Sequence, residues 1–328
     1  MMLHVERFRI HRVEEARMKF PSRICVLIFL ASLVNAAQAN TPQQLASDLQ
    51  AALRNGDMDA ELTLLDRDGV PGGLLYYFVE MVVDCVGKDA SACKAVVLPP
   101  GDEASKKVAQ YAEFPELEVV PALEGFIKVS TDPSRQDDAF NTRLVPYAKV
   151  KGEYRLLEQH LTAKKLAEWR AQTAQSITDA LLTKHVPVSN LPKGTDWKAK
   201  AQRLPNGGGE AGAWFVTQTS AIAAAYKARD VAALRTLKGE YGESIYREKD
   251  YNGKPVSQQL LQLTLRAQAV RAVMDATVLG GYQLGDTVAL TYEGHDGTGW
   301  IVRGCKVLKR KDNEWEAIDD DRIEIPSP

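Results

Sequence analysis

Leu45, Leu49, Ala52 and Leu53 recur at intervals of three and four residues, the spacing of one helical face. Thr41 stands before them as an N-cap, Pro42 fits the first helical position, and Gln44 completes a capping box. Asn55-Gly56-Asp57 ends that helix, and residues 60–65 predict a second, shorter one. Residues 74–86 are dense in apolar and aromatic side chains and predict a buried helix, although Tyr76-Tyr77-Phe78-Val79 also suits a strand. Residues 102–112 predict a helix. Residues 117–131 and 141–157 predict strands on either side of a polar loop at 132–138.

A helical stretch over 161–182 follows. The next residues hold Pro187, Pro192, Lys193-Gly194 and Asn206-Gly207-Gly208-Gly209, the composition of a linker, with Trp197 as an anchor within it. The second half opens with a helix over 213–228 and a short one over 230–237. Residues 241–253 are polar and rich in turns. Ser257 then caps a third helix carrying Leu260, Leu261, Leu265, Val270 and Val273. From there the period changes from helical to alternating. Strands are predicted over 278–284, through Val288, Leu290 and Tyr292, over 300–309 and over 314–319. Gly285-Asp286, residues 294–299 and Lys311-Asp312-Asn313 turn between them, so the strands form an antiparallel meander with one face buried on the helices.

The two halves repeat short motifs. Residues 51–58 and 224–231 each read as the end of one helix, a polar break and the start of another. Residues 149–157 resemble Lys306-Val307 followed by residues 314–318, a basic strand, a tight turn and an acidic-aromatic return.

The start of the chain follows a different pattern. Residues 18–23 are a short basic segment, residues 24–34 an apolar run too short to span a bilayer, and Ala37-Gln38-Ala39 a signal-peptidase site. This predicts a signal peptide over 1–39, with Met18 as the natural start, Asn40 as the first mature residue and the periplasm as destination. Cys25 lies inside the apolar run without a lipoprotein-type processing pattern. Loss of the leader removes six basic and three acidic residues and takes the formal charge from −2 to −5. A mildly acidic surface argues against nucleic acid as a partner. No later apolar run is long enough for a membrane span. In an oxidising compartment Cys85 and Cys93 predict a disulfide closing the loop 86–92, and Cys305 a buried small hydrophobe.

Motifs of familiar enzymes are missing. The sequence holds no phosphate loop, no Gly-x-Ser-x-Gly elbow and no His-Glu-x-x-His helix. His160, His185 and His295 are widely spread, Asp66-x-Asp68-Gly69 lacks the downstream ligands of a calcium loop, and Asp319-Asp320-Asp321 reads as a solvated strand end. No cofactor or metal is predicted.

The order of helix, short helix, variable segment, helix and meander resembles the NTF2-like, or cystatin-like, α+β superfamily, most closely over 213–319 and more loosely over 41–158. The resemblance implies two tandem domains, 40–182 and 212–328, joined by the linker 183–211, each with helices packed on a curved antiparallel sheet that forms a cone. Some members of that superfamily are isomerases or dehydratases and many only bind, so the fold does not decide function. It implies that Asp275, Tyr282, Tyr292 and Arg303 are candidates to line the second cone, where an acid–base pair could move a proton. Hairpin residues His295, Asp296 and Trp300 are candidates to meet a partner. The expectation is a binding protein rather than an enzyme. The leading version is an immunity-type inhibitor that occludes a secreted bacterial toxin. Behind it stand a binder of a lipid or cell-wall fragment and an isomerase or hydratase.

Overall fold

The computed structural model describes residues 41–87, 90–98, 117–118, 123–131, 142–185, 197–236 and 255–327. The predicted leader, the helix at 102–112, the loop at 132–138, the polar stretch at 241–253 and residues 186–196 of the predicted linker lie outside these residues. The elements in chain order are α1 (Pro42–Asn55), α2 (Met58–Leu64), α3 (Gly72–Gly87), β1 (Lys94–Leu98), β2 (Leu117–Glu118), β3 (Gly125–Ser130), β4 (Thr142–Val150), β5 (Glu153–Leu156) and β6 (His160–Leu161). Then come α4 (Ala163–Ala171), α5 (Ala174–His185), α6 (Trp197–Lys200), β7 (Gln202–Leu204), α7 (Gly209–Ala228), α8 (Val231–Thr236) and α9 (Gln258–Arg271). The meander β8 (Thr277–Leu284), β9 (Thr287–His295), β10 (Ile301–Lys311) and β11 (Glu314–Ile325) closes the chain. The class is α+β, with antiparallel sheets in the order β1-β3-β4-β5 and β11-β10-β9-β8-β7, the second one curled, and a short β2-β6 pair. Among the described residues no helix is long and apolar enough to cross a membrane.

Local chemistry explains most boundaries. Thr41 Oγ1 accepts from the Gln44 N–H at 3.1 Å, but the Gln44 amide turns to Asp48 instead of reaching back, so only half of the capping box forms. The helical stretch at 161–182 is two helices. They part at Gln172, where Thr173 and Ser176 exchange hydrogen bonds of 3.0 and 3.1 Å and start α5 afresh. Residues 74–86 are helical, as α3, and the strand alternative loses because burial is nearly all round. Strands β1 and β7 were not predicted. β1 pairs along β3, and β7 lies within the predicted linker as an edge strand on β8.

The repeated motifs share geometry. Gly56 and Arg229 both end their helices in the left-handed region, at φ 67° and 56°. The following Asp57 and Asp230 both return an N–H to the helix just ended and cap the next helix through Ala60 and Ala233. The hairpins β4–β5 and β10–β11 both turn on two residues of positive φ, Lys151-Gly152 and Asp312-Asn313.

Cores are continuous across the halves. Leu45, Leu49, Val79, Ile127 and Leu156 form one cluster that also holds Leu263 and Ala267 of α9, which packs on α3. Arg266 of α9 pairs with Asp59 at 2.5 Å. The Cys85 and Cys93 sulfurs stand at disulfide distance, with Cα atoms 5.7 Å apart, at the C-terminal end of α3. The second sheet is covered on both faces. Val278, Leu290 and Val302 meet Phe215 of α7 on one side. Ala289, Cys305 and Val307 meet Leu182 of α5 on the other.

Two bulges set which residues face which side. One falls between Val307 and Leu308 as they pair with β11, so that Ile318 is the extra residue. Trp315 and Ala317 face α7, and beyond the bulge Asp320 and Arg322 take over that face, while Ile323 and Ile325 pack behind with Trp169 of α4. β11 therefore continues six residues past Asp319, and the three aspartates lie inside the strand instead of at its end. A second bulge in β8, between Val278 and Gly280, turns Tyr282 to the α5 side.

Candidate functional site

Between the inner face of the second sheet and helices α7 and α9 lies a cavity of about 280 Å³, close to the lower limit of ordinary ligand pockets. Its apolar wall comes from α7, where Trp214, Phe215, Ile222 and Tyr226 follow one another at helical spacing. Its polar end comes from alternate residues of the strands, Lys306 of β10 and Asp320 and Arg322 of β11, with Arg271 from the end of α9. Tyr292 of β9 lies beneath, its ring 5.2 Å from that of Phe215.

Tyr292 fits because its cross-strand neighbour is Gly304. A Cβ there would sit 2.8 Å from the Tyr292 ring and 2.7 Å from the Asp321 carbonyl. Burial raises the Tyr292 pKa, the nearby Asp320 carboxylate raises it further, and Arg322 only partly opposes them. The phenol stays protonated at neutral pH.

The charges are ordered by one another. Lys306 Nζ lies 3.8 Å from Asp320 Oδ2. Arg322 holds Glu324 at 3.1 Å and donates to the Arg271 carbonyl at 3.0 Å. Arg271 donates to Gln268 Oε1 at 3.1 Å and lays its guanidinium 4.0 Å over the Tyr76 ring. Gln268 in turn donates to the Tyr76 hydroxyl, which donates to Glu80. Behind Arg322, Glu324 accepts the Gly73 N–H at 2.8 Å, so the second sheet caps the start of α3. Burial nevertheless raises the Glu324 pKa against the help of Arg322 and Gly73.

The sequence candidates scatter. Tyr292 lines the cavity. Tyr282 lies on the opposite face, where Gln175 of α5 reaches its hydroxyl at 3.4 Å. Arg303 is on that face too, paired with Glu293 at 2.6 Å and donating to the Gln172 carbonyl. Asp275 sits at the rim of the sheet and accepts from His295 Nδ1 at 2.8 Å. Burial alone would raise its pKa, but the hydrogen bonds from the His295 ring and backbone outweigh that and hold it below the usual carboxylate range. Of the hairpin residues, His295 is exposed and Trp300 half-buried. Asp296 is turned inward, because its Oδ1 gathers the Thr298 N–H, the Thr298 hydroxyl and the Trp300 N–H at 2.8, 2.6 and 3.0 Å. Cys305 is fully buried against α5, and burial first of all pushes its thiol up to about 12.

Sequence reasoning missed Trp214, Ile222, Lys306, Asp320 and Arg322. For the wall, the signal was the spacing 214, 215, 222, 226 on α7. For Asp320 and Arg322 it was hidden by the bulge. Among the described residues no three His, Cys, Asp or Glu side chains gather as a metal site would require. Comparison of the chain with protein families, curated proteins and solved structures returns no match.

Proposed function

We propose that this is an exported binding protein that holds a small molecule in the cavity of its C-terminal half. The observation that carries the reading is the cavity's division into an aromatic wall and a charged end held in place by its own ion pairs. Such a division orients a ligand with one apolar and one polar end. The reading is of binding without turnover, because the titratable groups are engaged with one another and the Tyr292 phenol keeps its proton. It takes precedence over the inhibitor of a toxin, for which a filled cone and a broad contact face would serve. The tandem NTF2-like arrangement belongs to the same proposal, supported by the matched caps and hairpins of the two halves. Export rests on the basic and apolar leader at 18–39 together with the Cys85–Cys93 pair.

Thr219 of α7 lines the cavity and is only partly buried, so Thr219→Trp fills the space from the helix side. A panel of small aromatic acids, amides and amines is titrated into both proteins while binding heat and melting temperature are followed. At least one compound class is expected to shift both signals in the natural chain and neither in the filled variant. Equal shifts in the two proteins, or none in the natural chain, would overturn the reading.

A further inference from the structure

We propose that the cavity takes a flat molecule of one or two rings that carries an N–H or O–H donor on its ring, and that Gln218 of α7 recognises this donor. The inference rests on the cavity being a ligand site and names the class of its occupant.

Spacing comes first. Trp214, Gln218, Ile222 and Tyr226 stand four residues apart on α7 and line the cavity as one ridge. Gln218 therefore sets an amide in the middle of an aromatic and branched wall, one turn after Trp214 and one turn before Ile222. For packing alone an apolar side chain of that length would serve, with no amide to desolvate.

The other polar side chains of the cavity are engaged within the protein. Gln268 donates to the Tyr76 hydroxyl and accepts from Arg271. Lys306 pairs with Asp320, and Arg322 with Glu324. Gln218 differs. Its Oε1 is buried without a hydrogen-bond partner, and among the described residues that line the cavity no other side chain leaves a buried oxygen or nitrogen in that state. Buried acceptors are almost always satisfied. The terminal torsion of a glutamine is soft, so the amide turns its oxygen onto a donor that arrives in the cavity.

The wall sets the body that carries the donor. Trp214 and Ile222 flank the amide with flat and branched surface, so the donor that meets Gln218 belongs on the edge of a ring. A volume of about 280 Å³ holds one or two fused rings and not a long acyl chain. Discrimination follows from the single acceptor. A ring of the same shape without the donor leaves Gln218 unpaired when it binds.

The probe is indole, compared with benzofuran and 1-methylindole by isothermal titration calorimetry on the purified protein. Both comparison rings keep the shape and lack the donor. Indole is expected to bind at least about tenfold more tightly than either. Gln218→Met keeps the length of the side chain without its amide and should bring indole and benzofuran to parity. Gln218→Leu should do the same and keeps the test decisive if one variant folds poorly. Thr219→Trp should block all three compounds. Indole and benzofuran binding alike to the natural chain, with Thr219→Trp blocking both, would overturn donor recognition and leave the cavity as a ligand site, with a water serving Gln218. A preference for indole that survives in both Gln218 variants would overturn the role of that residue. No binding by indole would overturn the inference, while the panel of acids, amides and amines still decides separately whether the cavity is a ligand site.

Discussion

Each half of the molecule sets a tyrosine across from a glycine on the next strand, and the two rings end in different surroundings. Gly125 pairs with Tyr147 and Gly304 with Tyr292. A Cβ on either glycine would come within 2.6 or 2.8 Å of the tyrosine. Tyr147 then meets Tyr154 edge-on at 6.0 Å inside a core filled by Leu45, Leu49, Val79 and Val82. Tyr292 meets Phe215, but beyond it the space stays open and charged. The difference traces to register. The β4–β5 hairpin pairs without a shift, whereas β11 carries the bulge at Ile318 that brings Asp320 and Arg322 to the inner face. One cross-strand device thus sits in a filled core in one half and beneath an open cavity in the other, and the inserted Ile318 sets which strand residues border that cavity.

The contrast of filled against open predicts unequal responses to truncation. Leu53 is fully buried in the first core, and Leu53→Ala should cost about 2–5 kcal/mol, because the deleted methyls leave a new void. Ile222 borders space that is already empty, and Ile222→Ala should cost less than about 2 kcal/mol. Urea unfolding of the two variants reads the difference directly. Equal losses would mean that the second half is packed as tightly as the first and would break the comparison.

How far the sequence revealed this contrast depended on how many faces each element buries. Helices α1 and α9 were legible because apolar residues at helical spacing followed clear capping residues, Thr41 and Ser257, and α3 was legible from its apolar density alone. The meander was legible because its turns are short and its glycines and asparagine stand where positive φ is needed. Face assignment was not. In a sheet covered by α7 on one side and α5 on the other, Cys305 and Val307 are as apolar as Val302 and Leu308, so alternation gives no inside or outside. Tyr282 was expected in the cone from the resemblance alone, and the bulge after Val278 turns it to the other face. Arg303 was expected there on the same ground, and it lies on the α5 face with Cys305 and Val307. Asp320 was read as solvent-facing because nothing local announces a bulge.

Alanine at the two glycines sharpens the comparison at a smaller scale. Gly125→Ala and Gly304→Ala both push a methyl into a tyrosine ring, and each should cost about 1–3 kcal/mol by overpacking. Their effects on binding should separate. Gly304→Ala displaces Tyr292 beneath the cavity and should weaken binding of any compound from the panel that the cavity takes by about tenfold or more, while Gly125→Ala should leave it unchanged. Calorimetric titration of both variants checks this, and equal effects would show that the site extends into the first half.

Buried carboxylates give the finest distinction. Glu324, in the second half, accepts from Gly73 and holds Arg322. Glu61, in the first, is fully buried, and neither of its oxygens has a hydrogen-bond partner. Burial raises its pKa well above 4.5, and the attraction of Arg143 only partly opposes this. In the native state Glu61 is therefore protonated over a range where the unfolded chain has already ionised. The native state binds more protons there, so stability falls as pH rises from about 4.5 toward the native pKa and is greatest below that range. Glu61→Gln removes the titration but keeps a buried polar group, so the variant should gain stability on the natural protein as pH rises above about 4.5, and the gain should vanish near that unfolded value in urea unfolding. Glu324→Gln should behave differently: its amide oxygen can still accept from Gly73, but the charge opposite Arg322 is lost, so the variant should be the less stable protein at neutral pH. A Glu61→Gln difference that stays constant with pH would mean that Glu61 is ionised in the fold. The two halves would then treat their buried acids alike.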